Sequence, residues 1–448
     1  MNQPTRIVIL GGGFAGVHVA LRLEQRMKRT RGLDVTLLDS ENFFTFTPLL
    51  PEVPSGSIQP KHIVFPLRAL LRKTHVRQAE VLGVDLERKS VLARHCGKCG
   101  QFTVPFDHLV FAMGSVSTFF GTPGVREYAR TIKSLADAAA LHAHLVDKLE
   151  HADLTSDVGR RRELVTFVVA GGGFAGVETV AELNDFVRGS GKYYPNVRPD
   201  DIRVMLVHSG DRILPEVSAS LSTYACDVLR KKGIEVRLGT KVAGCSSSTV
   251  RLTTGEEIPC GTFIWAAGVA PHPILSRLDL PRTPQGKIQV DATMAVNGYP
   301  GFWAIGDSAA IPDVLTGKLC PPTAQFAIRQ GRCLGDNLVA AIEGKTTCEF
   351  VHRSQGLLAG LGRRCAVAEV FGLKFSGFLA WWLWRSIYLL KLPGLERKLR
   401  VAMDWTLDLM FPRDIVYLRS LHEAQKPDPP LVDVPTCRIE HRALSAVD

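Results

Sequence analysis

The chain of 448 residues contains no run of 18 or more uninterrupted apolar residues, the length that a membrane-spanning helix requires. It also lacks a basic low-complexity tail and a nucleic-acid-binding motif. Its formal net charge of +10 therefore points to dinucleotides or acidic lipid, and no nucleic acid is expected as a partner. With 46% hydrophobic and 22% charged residues, it should be globular, with two or three domains. The apolar start at 7–10 runs directly into glycines, which favours a first strand over a signal peptide.

A cysteine framework is also missing. Ten cysteines are scattered along the chain, a pattern typical of free thiols in a reducing cytosol. Cys96 and Cys99 lie between two strand-like runs and are predicted to occupy a hairpin tip. A structural zinc ion needs four ligands, and the next cysteine is Cys226. Free thiols in a turn are therefore favoured over a shared metal site or a labile disulfide, and no metal site is predicted.

The seven residues GGGFAGV stand at 11–17 and again at 171–177. Each copy follows an apolar strand-like run and precedes a helix-like run, which is the context of the dinucleotide-binding fingerprint. In that fingerprint the first glycine makes a tight turn, the second lets the backbone approach a pyrophosphate, and the third lets the helix pack on the strand. The glycines in these positions are Gly11, Gly13 and Gly16, and then Gly171, Gly173 and Gly176. Two facing dinucleotides are expected; the alternative is two strand–turn–helix units without a ligand.

The two copies differ at the end of the strand that follows. Asp39 stands 23 residues after Gly16, the usual place of a carboxylate that binds an adenosine ribose; a surface acid is the alternative. In the second copy His208 takes this place. Neutral imidazole can accept one hydrogen bond, and protonated imidazole could meet a phosphate, so NADH versus NADPH preference stays open. Asp211 or Glu216 nearby could supply the missing carboxylate.

The order of the apolar runs predicts that the second unit is inserted in the first. The runs 109–114 and 262–268 close the two units in similar ways, and the run 302–307 then resembles a strand that returns to the first unit. The predicted fold is α/β, with two Rossmann-like dinucleotide-binding domains and a C-terminal amphipathic, membrane-associating region. The predicted boundaries are 1–120 and 286–347 for the two parts of the first domain, 121–160 for a connecting helical segment, 161–285 for the inserted domain, and 348–448 for the C-terminal region.

This arrangement resembles the two-dinucleotide flavoprotein reductases and, within them, the type II NADH:quinone oxidoreductases. The resemblance covers nearly the whole chain. It is carried by both GGGFAGV motifs, Glu178, 265–268, Gly306-Asp307, 323–331 and the aromatic run 375–382.

The resemblance implies that the first unit binds FAD non-covalently and that the inserted unit binds NADH, with NADPH left open. The residues implied to bind FAD are Gly11, Gly13, Phe14, Ala15, Gly16, Asp39, Val81, Ala112, Gly114, Gly306, Asp307 and Ala324. Those implied to bind the nicotinamide dinucleotide are Gly171, Gly173, Phe174, Ala175, Gly176, His208 and Gly268. The implied catalytic residues are Glu178 and Gln325.

Each of the polar residues in this set also has an ordinary structural interpretation. Asp307 would hold the ribityl chain of the flavin, or would only cap a helix at 308–310. Glu178 would accept a hydrogen bond from the nicotinamide carboxamide or act as an acid near the flavin, or would only be a first-turn carboxylate favoured by the helix dipole. The resemblance implies that Gln325 lies beside the flavin and the quinone path. Gln325 also follows two prolines at a helix start, so its amide is expected to point toward a ligand rather than to be helix surface.

The absence of paired cysteines separates this chain from related enzymes. Flavin disulfide reductases carry a close cysteine pair facing the flavin, whereas the stretch 42–71 has none. Sulfide:quinone oxidoreductases need paired cysteines beside the flavin, and Cys320 and Cys365 are not an obvious pair. Thiol chemistry is therefore disfavoured, and the cofactors are expected to carry the reaction.

The tail from Phe375 is apolar and then basic. The first sixteen residues, 375–390, are almost all apolar, but Arg385 interrupts them and Pro393-Gly394 follow. Four tryptophans (Trp381, Trp382, Trp384, Trp405) accompany four cations (Lys391, Arg397, Lys398, Arg400). Such a set is typical of an interfacial helix pair with its rings at headgroup depth on anionic lipid. A helix hairpin buried in a homodimer interface is the alternative.

The sequence therefore predicts a peripheral flavoenzyme on the cytoplasmic face of the cell membrane. It would transfer a hydride from NADH to FAD and then two electrons to a membrane quinone, without pumping protons. The competing hypotheses are a sulfide:quinone oxidoreductase-like flavoenzyme and a non-catalytic flavin-binding interaction protein.

Overall fold

A computed structural model describes residues 3–96 and 100–416 of the chain. The first unit begins with apolar strands that are buried on both faces, as expected for a parallel sheet covered by helices. Its elements are β1 (Thr5–Leu10), α1 (Phe14–Arg26), β2 (Leu33–Asp39), β3 (Phe43–Thr45), β4 (Val64–Pro66), α2 (Leu67–Leu70), β5 (His75–Asp85), β6 (Ser90–His95), β7 (Gln101–Pro105), β8 (His108–Phe111) and β9 (Ser115–Ser117). The sequence of residues 65–73 predicts a helix from Phe65 to Lys73, and this prediction is wrong. β4 pairs with β3 instead, and only the single turn α2 remains.

The inserted unit is built on a second, five-stranded parallel sheet. Its elements are α3 (Val125–Tyr128), β10 (Arg130–Thr131), α4 (Leu135–Leu154), α5 (Val158–Leu164), β11 (Thr166–Ala170), α6 (Phe174–Ser190), β12 (Arg203–Val207), α7 (Ala219–Lys231), β13 (Ile234–Arg237), β14 (Val242–Cys245), β15 (Thr249–Leu252), β16 (Glu257–Pro259), β17 (Thr262–Trp265) and β18 (Val269–Pro271). The sheet has the order β10-β17-β11-β12-β13. The segment expected to connect the units thus contributes the edge strand β10.

The chain then returns to the first sheet. The returning elements are β19 (Ile288–Gln289), β20 (Phe302–Ala304), β21 (Ala309–Ala310) and α8 (Ala324–Ile342). β20 lies beside β8 in a seven-stranded sheet of order β20-β8-β1-β2-β5-β6-β7. The prediction that the second unit interrupts the first is therefore confirmed. Helix α8 packs closely on α1, where a side chain at Gly331 would meet the Ala15 carbonyl oxygen at 2.5 Å.

The two segments that link the units pair with each other. β9, which leaves the first unit, forms an antiparallel ladder with β18, which leads back to it. Because β9 follows β8 and β18 follows β17, this ladder joins the carboxyl ends of the two sheets. Ligands bind at these ends in open α/β sheets.

The C-terminal region is a small antiparallel sheet followed by two helices. Its elements are β22 (Gly356–Gly360), β23 (Ala366–Val370), β24 (Leu373–Ser376), α9 (Gly377–Lys391) and α10 (Leu395–Met410). Pro393 and Gly394, with φ +71°, separate the two helices. Among the helices that the structure describes, none combines the length and apolarity needed to cross a bilayer.

Candidate functional site

The first glycine turn joins β1 to α1. Gly11 has φ +106°, and a side chain there would overlap the carbonyl oxygen of Ala112, while one at Gly16 would overlap that of Gly11. Gly13 is different, because its φ of −77° suits any residue and nothing lies within 4 Å of the position that a Cβ would take. The chain itself does not require glycine at this position. A group outside the chain that approaches the backbone would require it, as a pyrophosphate does.

The second turn repeats this geometry at β11 and α6. Gly171 has φ +118°, and a side chain at Gly176 would overlap the Gly171 carbonyl oxygen. Gly173 again has an ordinary φ of −78° and open space where a Cβ would stand. Neither α1 nor α6 has a side-chain cap or an acid in its first turn, so their N-terminal N–H groups stay available to an anion. Phe14 and Ala15, and Phe174 and Ala175, are the first residues of these helices.

The strand-end residues hold the glycine turns in place. Asp39 accepts hydrogen bonds from the N–H groups of Gly12 at 2.5 Å and Glu41 at 2.7 Å. His208 takes the equivalent position, and its Nδ1 accepts from the Gly172 N–H at 3.1 Å. This nitrogen is therefore unprotonated, and burial lowers the pKa of the ring further. The ring nitrogen that could accept a hydrogen bond from a ribose hydroxyl thus already accepts one from the backbone. The ring also has a hydrogen bond to the backbone of Arg212, and a protonated ring facing a phosphate is disfavoured.

The remaining predicted FAD residues surround the carboxyl end of the first sheet. Ala112 is buried directly after β8, and Gly114 follows with φ +66° and open space beside it. Val81 lies at a β-bulge of β5, where that strand turns from β2 to β6. Gly306 donates its N–H to Oε1 of the buried Gln330 at 3.0 Å, so α8 holds the turn that carries Asp307.

Asp307 is not a helix cap. The residues after it form β21 rather than a helix, and its side chain caps nothing. Its Oδ2 instead accepts from the Ser115 hydroxyl at 2.5 Å, and Lys133 donates to that hydroxyl at 2.9 Å. This orientation leaves Oδ1 for a polyol hydroxyl, so the site fits a ribityl chain. Ser115 and Lys133 were not predicted from the sequence, since Ser115 reaches Asp307 through the pairing of β8 with β20 and Lys133 comes from the inserted unit.

Replacing Lys133 by methionine is expected to weaken FAD retention about three- to tenfold. The charge is partly screened by solvent, so the effect stays below that of a buried charged hydrogen bond. The measurement is the FAD dissociation constant of purified protein by flavin fluorescence. Lys148→Met on α4 is the control, because Lys148 is a lysine of the same unit that lies with Arg130 and Asp147 instead of Asp307. Equal FAD affinity in both variants would contradict the assignment.

Glu178 lies between the inserted unit and the C-terminal region. It is the fifth residue of α6, one beyond the first turn, so the prediction of a first-turn carboxylate is wrong. Its Oε1 accepts from the Gly360 N–H at 2.8 Å and from Trp384 Nε1 at 3.3 Å. Burial raises its pKa to about 8, so the side chain is protonated at pH 7.

Glu178 belongs to a buried charged cluster that the sequence analysis missed. The cluster contains four acids and two bases, namely Glu52, Glu178, Glu182, Asp408, Arg385 and Arg413. Burial also raises the pKa of Glu52 to about 8, and Trp405 Nε1 donates to Glu52 at 2.6 Å. With two acids neutral, the other two balance the two guanidinium groups. Arg413 bonds both Glu182 and Asp408 at 2.9 Å and thereby fastens the C-terminal region to α6.

Gln325 is the second residue of α8, after Ala324, and Thr323 caps the helix. Its Oε1 accepts from the Gln355 N–H at 2.9 Å, and its Nε2 donates to Ser354 at 3.2 Å. The amide is therefore bonded to the segment that leads into β22 of the C-terminal region. Gln325 and Glu178 thus both contact this region, although they are far apart in sequence.

Helices α9 and α10 have an apolar outer face. Their exposed large apolar side chains, here called the outer face, are Phe378, Leu379, Trp382, Leu390, Leu395, Leu399, Met403, Leu407 and Met410. The prediction that four tryptophan rings lie at headgroup depth is wrong for three of them. Trp381, Trp384 and Trp405 are buried, and only Trp382 is exposed. Arg385 is buried between the rings of Trp381 and Trp405, so it does not interrupt the outer face.

The cysteines form no metal or thiol pair in the described part of the chain. No group of three or more His, Cys, Asp or Glu side chains there could hold a metal ion. Cys96 follows β6 directly in a turn, while Cys99 lies outside the described residues. Cys365 contacts the Tyr224 hydroxyl, whereas Cys320 interacts with Gln330, so these two cysteines have separate partners.

Two family models match this chain. Residues 5–331 match the pyridine nucleotide-disulphide oxidoreductase family, and residues 354–414 match the NDH2 C-terminal domain. A type II NADH:quinone oxidoreductase of Mycobacterium tuberculosis is 30% identical over 425 residues, covering 91% of this chain and 89% of that protein.

Solved structures agree on the fold. NDH2 from Plasmodium falciparum in complex with NADH superposes with a TM-score of 0.86 at 21% identity, over 92% of this chain and 100% of that one. The sulfide:quinone oxidoreductase of Aquifex aeolicus gives 0.68 at 17% identity, over 91% and 96%. The fold is thus shared by enzymes of different chemistry, and the site must distinguish them.

Proposed function

The chain belongs to the pyridine nucleotide-disulphide oxidoreductase family and, within it, to the type II NADH:quinone oxidoreductases, and we propose the following roles for its residues. The protein is an FAD-dependent NADH:quinone oxidoreductase. The position of Glu178 is the main support for placing the reaction between the inserted unit and the C-terminal region. It is a buried, protonated acid on the helix of the second glycine turn, and it bonds to the C-terminal region.

The first glycine turn holds FAD and the second holds NADH. Gly13 and Gly173 let the two pyrophosphates approach the uncapped starts of α1 and α6. Asp307 accepts from the ribityl chain, and Asp39 accepts from the adenosine ribose of FAD. The His208 ring is hydrogen-bonded to the backbone of Gly172 and Arg212 and supplies no carboxylate, so the choice between NADH and NADPH is left to measurement. When bound, FAD accepts a hydride and passes on two electrons.

The quinone reaches the flavin between Gln325 and Glu178. Reduction of a quinone to a quinol consumes protons as well as electrons, and a protonated Glu178 can donate one of them. The Gln325 amide lies at the start of α8, where the N–H groups of the helix favour negative charge on a ligand. In this proposal Gln325 lines the quinone path and Glu178 supplies the proton.

One experiment tests this function. Purified protein should show a flavin spectrum that NADH bleaches and a soluble quinone restores. Bleaching by sulfide instead of NADH would favour a sulfide:quinone oxidoreductase. An FAD spectrum without NADH turnover would favour a flavin-binding interaction protein. A parallel titration with NADPH measures the preference that His208 leaves open.

The outer face is proposed to bind the membrane. On α10 its residues recur every three or four positions, while Val401, Trp405 and Asp408 on the opposite side are buried. A contiguous apolar stripe of this length marks a membrane or protein contact. The cations Lys391, Arg397, Lys398 and Arg400 lie at the helix ends, which suits an anionic lipid surface. The family is membrane-associated, and we place this protein on the cytoplasmic face of the cell membrane.

Replacing Leu399 and Met403 together by glutamate is expected to reduce binding to vesicles of mixed neutral and anionic lipid at least about tenfold, because two apolar side chains lose their burial. Both side chains are exposed, so the fold should be kept. The control is Leu154→Glu with Val158→Glu, two exposed apolar residues at the ends of α4 and α5. Unchanged vesicle flotation would refute the membrane assignment, and a change from dimer to monomer would favour the homodimer interface.

A further inference from the structure

The linker between the two units contains a tight turn with an unusual residue at its corner. The Thr122 N–H donates to the Phe119 carbonyl oxygen at 2.9 Å, and the two central residues, Phe120 and Gly121, have φ of +49° and +68°. Two positive φ values are the signature of a type I′ turn, whose first central residue is normally Asn, Asp or Gly. Phenylalanine is therefore a poor choice for the backbone at position 120.

Burial does not explain the choice either. The Phe120 side chain is 68% exposed, so folding gains little from its ring. The edge of the ring lies against Gly268, where its Cζ atom would overlap any Cβ. Gly268 is not among the glycines with positive φ, so its backbone does not need glycine. The missing side chain at 268 makes room for the ring at 120.

The strand order shows which part of a bound dinucleotide this ring would meet. β17 lies on one side of β11, and β12 lies on the other. The glycine turn after β11 receives the pyrophosphate, and His208 after β12 marks the adenosine side. Gly268 follows β17 and is therefore on the nicotinamide side.

The linker is also firmly attached at this place. The Thr118 N–H donates to the Gly268 carbonyl oxygen at 3.1 Å, and Trp265 Nε1 donates to the Thr118 carbonyl oxygen at 2.8 Å. The Phe120 ring centroid is 6.4 Å from that of Trp265. These contacts keep the exposed ring at the carboxyl end of the inserted sheet, on the side where the chain comes from the flavin-binding unit.

We propose that Phe120 is a substrate-positioning residue, whose exposed ring packs against the nicotinamide half of NADH. This inference rests on the proposed function, because it requires that the second glycine turn binds NADH. A strained, exposed aromatic residue at a ligand-binding edge is the kind of outlier that function retains. The ring would restrict the orientation of the nicotinamide as it meets the flavin.

The test compares Phe120→Asn with Phe120→Tyr in the FAD-loaded protein. Asparagine suits the turn but removes the ring, whereas tyrosine keeps it. The Asn variant should raise the dissociation constant of NAD⁺, measured by calorimetry, about tenfold, the scale of one aromatic contact. It should raise the KM for NADH similarly and leave the KM for a soluble quinone unchanged. The Tyr variant should stay within about twofold of the natural protein in each.

The melting temperature separates this role from a structural one. The Asn variant should melt at the same or a higher temperature, because asparagine tolerates the left-handed conformation better than phenylalanine. Unchanged NAD⁺ affinity in this variant, with or without a lower melting temperature, would overturn the inference. Failure of the natural protein to bind NAD⁺ while holding FAD would overturn the proposed function instead.

Discussion

Replacement of Gly173 by valine is expected to abolish bleaching of the flavin by NADH, while FAD stays bound. The φ of −78° at Gly173 suits valine, and no protein atom lies within 4 Å of the new Cβ, so the fold should accept the change. The valine would occupy the space through which the pyrophosphate approaches the backbone. A loss of NADH affinity of at least about 100-fold, or about 2.8 kcal/mol, is expected. Stopped-flow bleaching at rising NADH concentration measures it.

Two other glycines of the same helix provide the controls. Gly189 lies on exposed α6 surface with nothing near its Cβ position, so Gly189→Val should leave bleaching unchanged. Gly176→Val should instead prevent folding, since its Cβ would overlap the Gly171 carbonyl oxygen. If Gly173→Val bleaches as fast as Gly189→Val, the second turn does not bind the dinucleotide.

Replacement of Glu178 by glutamine is expected to slow quinone reduction by about 10²-fold or more, the usual contribution of a positioned general acid. Glutamine keeps the hydrogen bonds from Gly360 and Trp384 but has no proton to donate. Bleaching by NADH should stay near the natural rate, because that step requires no proton from Glu178. The two half-reactions are followed separately by stopped-flow absorbance.

The pH dependence gives a second test of Glu178. With its pKa raised to about 8, the proton-donating form predominates at pH 7 and is lost as the pH rises through 8. Quinone reduction should therefore fall above pH 8, and Glu178→Gln should lack this inflection. Glu52→Gln is the matched control, since Glu52 has a similarly raised pKa but bonds to Trp405. If both variants reduce quinone equally slowly, the charged cluster rather than the proton of Glu178 is what matters.

The same raised pKa values affect stability. Glu52 and Glu178 each have a folded-state pKa of about 8, above the unfolded value of 4.5. Their contribution to the free energy of unfolding is therefore complete below pH 4.5 and declines as the pH rises through about 8. Unfolding of the natural protein should therefore become easier across this range.

The local parts of the site could be read from the sequence. A strand, a glycine turn and a helix are contiguous, so the spacing of Gly11, Gly13 and Gly16 already carries the turn geometry. The return of the chain at β20 was also predictable, because a further apolar strand-like run, ending in Gly306-Asp307, follows the close of the second unit.

The polar contacts could not be read in this way. Glu178 and Trp384 are 206 residues apart, and Ser115 and Asp307 are 192 apart. No local pattern relates such residues. The inward direction of Trp381 and Trp384 could not be predicted for a similar reason, since α9 is almost all apolar and its sequence does not indicate which face is buried.

The sequence by itself determined two dinucleotide-binding turns, their nesting and the family, because these depend on contiguous strand–turn–helix segments and their order. Only the tertiary structure decided the tautomer of His208, the protonation of Glu52 and Glu178, and which aromatic rings face outward. These properties depend on burial and on partners from distant segments, and burial exists only once the two units and the C-terminal helices pack together.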